Sequence, residues 1–307
     1  MLRISDFYSM KYGKLDGVDG LDLRLPADHP QTQRLLRHAP GKPLEVRVGG
    51  TMWNIPEWKG KIYPAKLAQK DMPLWYCKQF GTLELNATHY KIHPPETLAK
   101  WAGYADDDFR FCPKFPQLIT HYRRFNNCEG LTDEFIEAVL ALGVKRGPCF
   151  IQLPPNFAPK SAPVLIDYLR RWPRELALAV EFRHPDWFKD DAAAENVWRA
   201  MEELGIGAVI SDTAGRRDAV HMRVTAPFLL LRFGGNDLHP SDETRLNEWA
   251  ARIADWHTGG LTEVHLLMHQ PNSVTTPESC AFFAAAMQRH LNVQIRLPRS
   301  PEQPSLF

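Results

Sequence analysis

LALAVEFRHPDWF, residues 176–188, begins as a strand-like apolar run and closes on Glu181, Arg183 and His184. Seven other short runs share this form: LEVRVGG (44–50), TLELN (82–86), FRFCPKF (109–115), PCFIQL (148–153), IGAVIS (206–211), FLLLRF (228–233) and EVHLLMH (263–269). Between them lie segments such as SAPVLIDYLRRW and AAAENVWRAMEEL, whose apolar residues return with the spacing of an amphipathic helix. Strands alternating with helices are the sequence form of parallel strands joined by crossover helices. Eight of them in a chain of 307 residues predict a (β/α)8 TIM-like barrel. No G-x-G-x-x-G follows the first run, which disfavours an open dinucleotide-binding sheet. DTAGRRDAVHMRVTAP, between the sixth and seventh runs, offers little helix, so the outer layer is expected to be incomplete there.

Residues 1–43 precede the first strand and are expected to pack on the barrel as an N-terminal extension. Residues 44–295 would form the barrel, and the proline-rich 296–307 a flexible tail. A hydrophobic content of 44% suffices for a large core. A formal net charge of +1 argues against a broadly basic nucleic-acid surface, although a local patch such as Arg123 and Arg124 leaves direct contact open. The five cysteines form no C-x-x-C pair, which points to buried free thiols in a reducing compartment. No spacing signals zinc, and no motif announces a cofactor. The opening MLRISDFYSMKYGKLDG lacks a signal-peptide core, and no stretch is long and apolar enough to cross a bilayer. A cytoplasmic protein without a membrane partner is expected.

In a (β/α)8 barrel the active site lies where the strands end, because the loops meet there around one mouth. Polar residues collect at those ends: Thr51 and Trp53, Glu84 and Asn86, Lys114, Gln152, then Glu181 with Arg183, Asp212, Arg232, and His269 with Gln270. Side chains two apart share a face of a strand, so Glu84 pairs with Asn86 and Glu181 with Arg183. The plain alternative is mutual neutralisation, Glu84 by Arg183 or Glu181 by Lys114, since buried charges need partners. Several acids, bases and amides at one end exceed what neutralisation requires, which favours a site.

The segments VGGTMWNIPEWKGKIYP, FGTLELNATHYKIHP, FRFCPKFPQLITH, GPCFIQLPPNF and AVEFRHPDWF occur in one order and resemble the YecE-like family, also called domain of unknown function 72. The resemblance implies a (β/α)8 barrel and marks positions without naming a reaction. Trp53, Glu84, Asn86, Tyr90, Lys114, His121, Gln152, Glu181 and Arg183 fall on its motifs, as do Trp58 and Trp187, which read better as packing residues. GGTMW and MHQPN depart from the family's usual pattern.

The leading expectation is an enzyme acting on a small anionic, phosphorylated or carboxylated ligand. Glu84 and Glu181 would serve as general base and acid in either order, with Lys114 and Asp212 beside them as further catalytic groups. Lys114, Arg183 and Arg232 would supply positive charge, and Gly234 and Gly235 in the turn after the seventh strand would hold phosphate on backbone N–H groups, near a helix start at Thr276. Trp53, Asn86, Tyr90, His121 and Gln152 would complete the binding set. A second expectation is a metal-assisted hydrolase using Glu181, Asp212, His184 and His269, and a third is a barrel that binds without catalysis. QPSLF at the C-terminus resembles the peptide by which bacterial repair and replication proteins bind the sliding clamp, through Gln303, Leu306 and Phe307. That would make a repair-linked phosphodiesterase the alternative reading.

Overall fold

The computed structural model describes residues 12–37 and 41–301. Gln303, Leu306 and Phe307, and with them the proposed clamp motif, lie outside the described residues. The strands are β1 Glu45–Gly49, β2 Thr82–Leu85, β3 Arg110–Pro113, β4 Cys149–Gln152, β5 Leu178–Glu181, β6 Gly207–Asp212, β7 Phe228–Gly234 and β8 Glu263–His269. The helices of six residues or more are α1 Pro30–Leu35, α2 Met72–Gln79, α3 Pro95–Ala102, α4 Glu129–Leu140, α5 Ala162–Arg171, α6 Ala192–Leu204, α7 Pro240–Thr258 and α8 Thr276–His290, with shorter helical turns at Ala87–Tyr90 and Leu118–Tyr122. The result is an α/β fold with parallel strands: six in the order β1-β8-β7-β6-β5-β4, and two, β2-β3. Gly81 N–H donates to Val48 O and Glu84 N–H to Gly50 O, each at 3.0 Å, linking β1 to β2. Across the other gap Gly147 N–H donates to Phe111 O at 2.7 Å and Phe115 N–H to Phe150 O at 2.9 Å.

The apolar runs do not alternate with polar residues because both faces of the strands are buried. Outward residues such as Val48, Leu85, Val180, Ile210, Leu231 and Leu266 join the helices in the main core. Inward residues Cys112, Phe150, Ala179, Val209, Leu230 and Leu267 form a separate apolar plug. Gly49 sits where any Cβ would meet Thr82 O at 1.8 Å, so only glycine lets β1 approach β2 there.

Helix boundaries follow local chemistry. Asp191 Oδ1 accepts from Ala194 N–H at 2.9 Å to start α6, and Gly205 ends it at φ 67°. Thr276 lies inside α8 instead of capping it; Thr275 occupies the cap position. Between β6 and β7 there is only a short turn, Arg217–Ala219, as the weak pattern predicted. Segment 12–37 runs against this connection. Thr32 Oγ1 donates to Met222 O at 2.7 Å and accepts from Val224 N–H at 2.8 Å, while Arg217 Nη2 donates to Leu23 O at 2.9 Å.

The flexible stretch expected from residue 296 does not begin there. Arg296 Nη1 donates to Cys77 O at 2.8 Å, and the Gln79 amide accepts from Arg299 N–H at 2.7 Å and donates back to Arg299 O at 3.1 Å. All five cysteines are buried and free. Among the described residues no helix is long and apolar enough to cross a membrane.

Candidate active site

Each inward plug residue is followed, two positions on, by a polar one. Cys112 leads to Lys114, Phe150 to Gln152, Ala179 to Glu181, Val209 to Ser211, Leu230 to Arg232 and Leu267 to His269. Because side chains two apart share a strand face, these polar groups form a layer above the apolar plug, at the C-terminal ends of the strands. Glu84 on β2 completes it.

Arg232 is the hub of this layer. Its Nε and Nη2 donate to Glu84 Oε2 and Oε1 at 3.0 and 3.1 Å, and its Nη1 donates to Glu181 Oε1 and Oε2 at 2.8 and 2.9 Å. Glu181 also accepts from Gln152 Nε2 at 2.6 Å, Ser211 Oγ at 2.9 Å and Arg183 Nε at 3.2 Å. Glu84 accepts from His269 Nε2 at 2.7 Å, which places that ring's proton on Nε2. Neutralisation therefore runs through partners other than those expected: Arg232 with both carboxylates, and Arg183 with Glu181.

This geometry ties both glutamates into ion pairs, which argues against the acid role expected for one of them. Burial pushes the Glu84 carboxyl up, but the Arg232 guanidinium and His269 outweigh it and hold it well below the usual carboxylate range. Burial opposes ionisation of Glu181 too, yet Arg183 and Arg232 hold it at about 2. Both are held as carboxylates, Glu181 accepting on both oxygens and Glu84 accepting from Arg232 and His269, so neither is poised to donate a proton.

Lys114 has the opposite character. It is 5% exposed, and its Nζ makes no ion pair or hydrogen bond among the described residues, because the arginines have taken both nearby carboxylates. Burial drives its pKa down from 10.5 to about 7; Glu84 opposes this, and Arg232 and Arg183 add to it.

A cavity of about 440 Å³ opens over this layer, lined by Glu84, Lys114, Arg232 and His269 below and by Met52, Trp53, Asn86 and Tyr90 toward the rim. Tyr90 is 61% exposed, and Trp53 is fixed edge-on against Trp101 at 5.6 Å. His121 stands beside the cavity with its ring 5.3 Å from His89 and Nδ1 2.7 Å from Thr120 Oγ1, and burial with Lys114 and Arg183 nearby lowers its pKa to about 4. Gln152 and Arg183 serve Glu181 from beneath and beside it. Trp58 and Trp187 are buried packing residues.

Other expected members are elsewhere. Asp212 faces outward from β6, where Arg217, Arg245 and Trp249 bind its carboxylate, Trp249 Nε1 at 2.7 Å; the strand alternation that sends Ser211 inward sends Asp212 out. The glycine turn after β7 has its N–H groups engaged: Gly235 to His269 O at 2.9 Å, Asn236 to the Asp242 carboxylate at 2.7 Å, and Asp237 to Gln270 Oε1 at 2.9 Å. These three N–H groups are therefore not free to hold a phosphate. Gly235 is instead a close-approach residue, since a Cβ would lie 2.1 Å from Gln270 Nε2. The four proposed metal ligands diverge, with His184 accepting from Asp186 N–H at 3.2 Å while Asp212 faces α7. Sequence reasoning left His269 and Ser211 out of the binding set, although their offset of two from plug residues was the available signal. Tyr12, whose ring covers Arg183 with the guanidinium carbon 4.2 Å from its centroid, carried no signal at all.

Fold and site together define an α/β protein whose parallel strands end in a buried, paired charge cluster beneath an open cavity. The chain belongs to the family described as protein of unknown function DUF72, which it matches over residues 47–305. It is 30% identical over 280 residues to UPF0759 protein YecE of Escherichia coli K12, covering 85% of this chain and all of that one. UPF0759 protein YunF of Bacillus subtilis is 29% identical over 153 residues, 47% of this chain and 52% of that one. Crystal structures of DUF72 proteins from Enterococcus faecalis (TM-score 0.59, 18% identity, 84% of this chain and 99% of that one) and Thermotoga maritima (0.54, 19%, 80% and 97%) share the fold.

Proposed function

We propose that this protein is an enzyme acting through Lys114 on a small substrate that carries an anionic group, bound in the mouth of a (β/α)8 barrel. Closure of the barrel is supported by the hydrogen bonds joining β1 to β2 and β3 to β4, and by the apolar plug drawn from six different strands. The observation that carries the functional reading is the unpartnered amine of Lys114 in a cavity whose other charges are paired. Two carboxylates face two guanidiniums, so a protonated Lys114 is surplus positive charge that draws an anion into the mouth. Its free amine is a base or nucleophile near neutral pH. Glu84 and Glu181 balance charge and hold the neighbouring groups in place, while Trp53 and Tyr90 offer flat apolar contact at the rim.

Ligand-observed NMR on mixtures of small carboxylates and phosphate esters tests this reading. The wild type should bind a subset, and Lys114→Met should bind them at least about tenfold more weakly while unfolding cooperatively on heating. Equal binding by a folded Lys114→Met would remove Lys114 from the function.

A further inference from the structure

We propose that Lys114 forms an imine with a small carbonyl compound that bears a carboxylate or phosphate, which makes the mouth a site for aldehyde or oxo-acid chemistry. The inference rests on the reading of Lys114 as the reacting group and deepens it by naming the substrate class.

A primary amine adds to a carbonyl when its lone pair is free, when there is room for the electrophile, and when water can leave. Lys114 meets the first condition because Arg232 and Arg183 occupy the nearby carboxylates and Nζ has no acceptor of its own. The cavity of about 440 Å³ into which it faces meets the second, and the open rim at Tyr90 and Met52 the third. Anchoring an anion needs only a fixed cation, not an amine able to lose its proton. Arginine, always charged, would serve that purpose better. What burial without a partner adds is nucleophilicity at neutral pH.

The step balances without an oxidant or reductant. The Nζ lone pair forms the N–C bond as the carbonyl π pair moves to oxygen, and a proton passes from nitrogen to that oxygen to give a carbinolamine. A second proton, from solvent entering the mouth, lets the oxygen depart as water while the nitrogen lone pair closes the C=N bond. The resulting iminium carries its positive charge where the lysine ammonium stood, facing Glu84. The charged and titratable groups around it are Glu84 on β2, Glu181 and Arg183 from the end of β5, Arg232 on β7, and His89 and His121 from the loops after β2 and β3. His269 on β8 reaches it through Glu84.

The test is reductive trapping of the full-length protein with glyoxylate, and separately with glycolaldehyde phosphate, in the presence of sodium cyanoborohydride at neutral pH. Peptide mass mapping should find the adduct on Lys114, formed at least about tenfold faster than on the exposed Lys91 and Lys100. Which of the two probes reacts faster identifies the preferred acidic group. Lys114→Arg, which keeps the charge, should retain cooperative unfolding and lose the adduct. Binding of either probe to the wild type by NMR with no enrichment of adduct at Lys114 would overturn the imine and leave the anion-binding function standing. Neither binding nor adduct would overturn both.

Discussion

Burying Lys114 without a partner among the described residues carries a stability cost that depends on pH. A buried lysine whose pKa falls from 10.5 to about 7 binds fewer protons in the folded protein than in the unfolded chain between those values. The destabilisation is therefore complete below pH about 7 and fades as pH rises toward the ordinary lysine range. Lys114→Met should accordingly stabilise the fold by roughly 1–4 kcal/mol at pH 6, as replacement of buried charge by apolar volume often does, and by much less at pH 10. Chemical denaturation at the two pH values measures the difference. A variant that is less stable at pH 6 would mean that Lys114 has a partner the geometry does not reveal.

At the scale of elements, the bare connection between β6 and β7 is covered from the other end of the chain. The loop has no crossover helix, and its backbone groups at Met222 and Val224 turn to the Thr32 hydroxyl of α1, buried between them. Buried backbone groups must be paired, so a segment lacking a helix of its own needs a visitor with a donor and an acceptor. Thr32→Val, which preserves shape and removes the hydroxyl, leaves Val224 N–H unsatisfied while Met222 O keeps His29 N–H at 3.2 Å, and should cost about 1–3 kcal/mol. Hydrogen exchange should rise at Val224 first. Unchanged protection there would show that the Thr32 hydroxyl does not hold Val224 N–H.

Across the whole molecule, Arg232 on β7 ties β2 to β5, strands that belong to different sheets and share no backbone pairing. Removing one member leaves buried charge without a counterpart, which typically costs about 3–5 kcal/mol. Glu181→Gln, which would strand Arg183 and leave Arg232 with Glu84 alone, is expected to lose about that much in urea unfolding. The pH dependence has a definite sign. Glu181 is held at about 2 against 4.5 in an unexposed-to-charge reference, so its contribution is present above pH 4.5 and is lost as pH falls toward 2. Wild-type stability should drop across that window, and the variant should drop less. Parallel acid profiles would assign the acid sensitivity to other groups.

By itself the sequence determined the order of strands and helices, the missing helix after β6, and the face on which Glu84, Asn86, Glu181 and Arg183 lie. All of these follow from periodicity and local composition, which act over a few neighbouring residues. It also marked Lys114, Trp53 and Tyr90 as residues of the mouth, since position at a strand end is a local property. Only the tertiary structure decided which acid meets which base. Arg232 and Glu84 are 148 positions apart in the chain, and Arg232 and Glu181 are 51 apart, so their pairing depends on how the strands are arranged in space. That pairing tied both carboxylates to arginines and left the lysine without a partner among the described residues. The fate of Asp212 and of the glycine turn was likewise tertiary, because Arg245, Asp242 and Gln270 reach them from elements that no local pattern brings near. Ionisation in a buried site is set by partners and burial together, and both come into being only when the chain is folded.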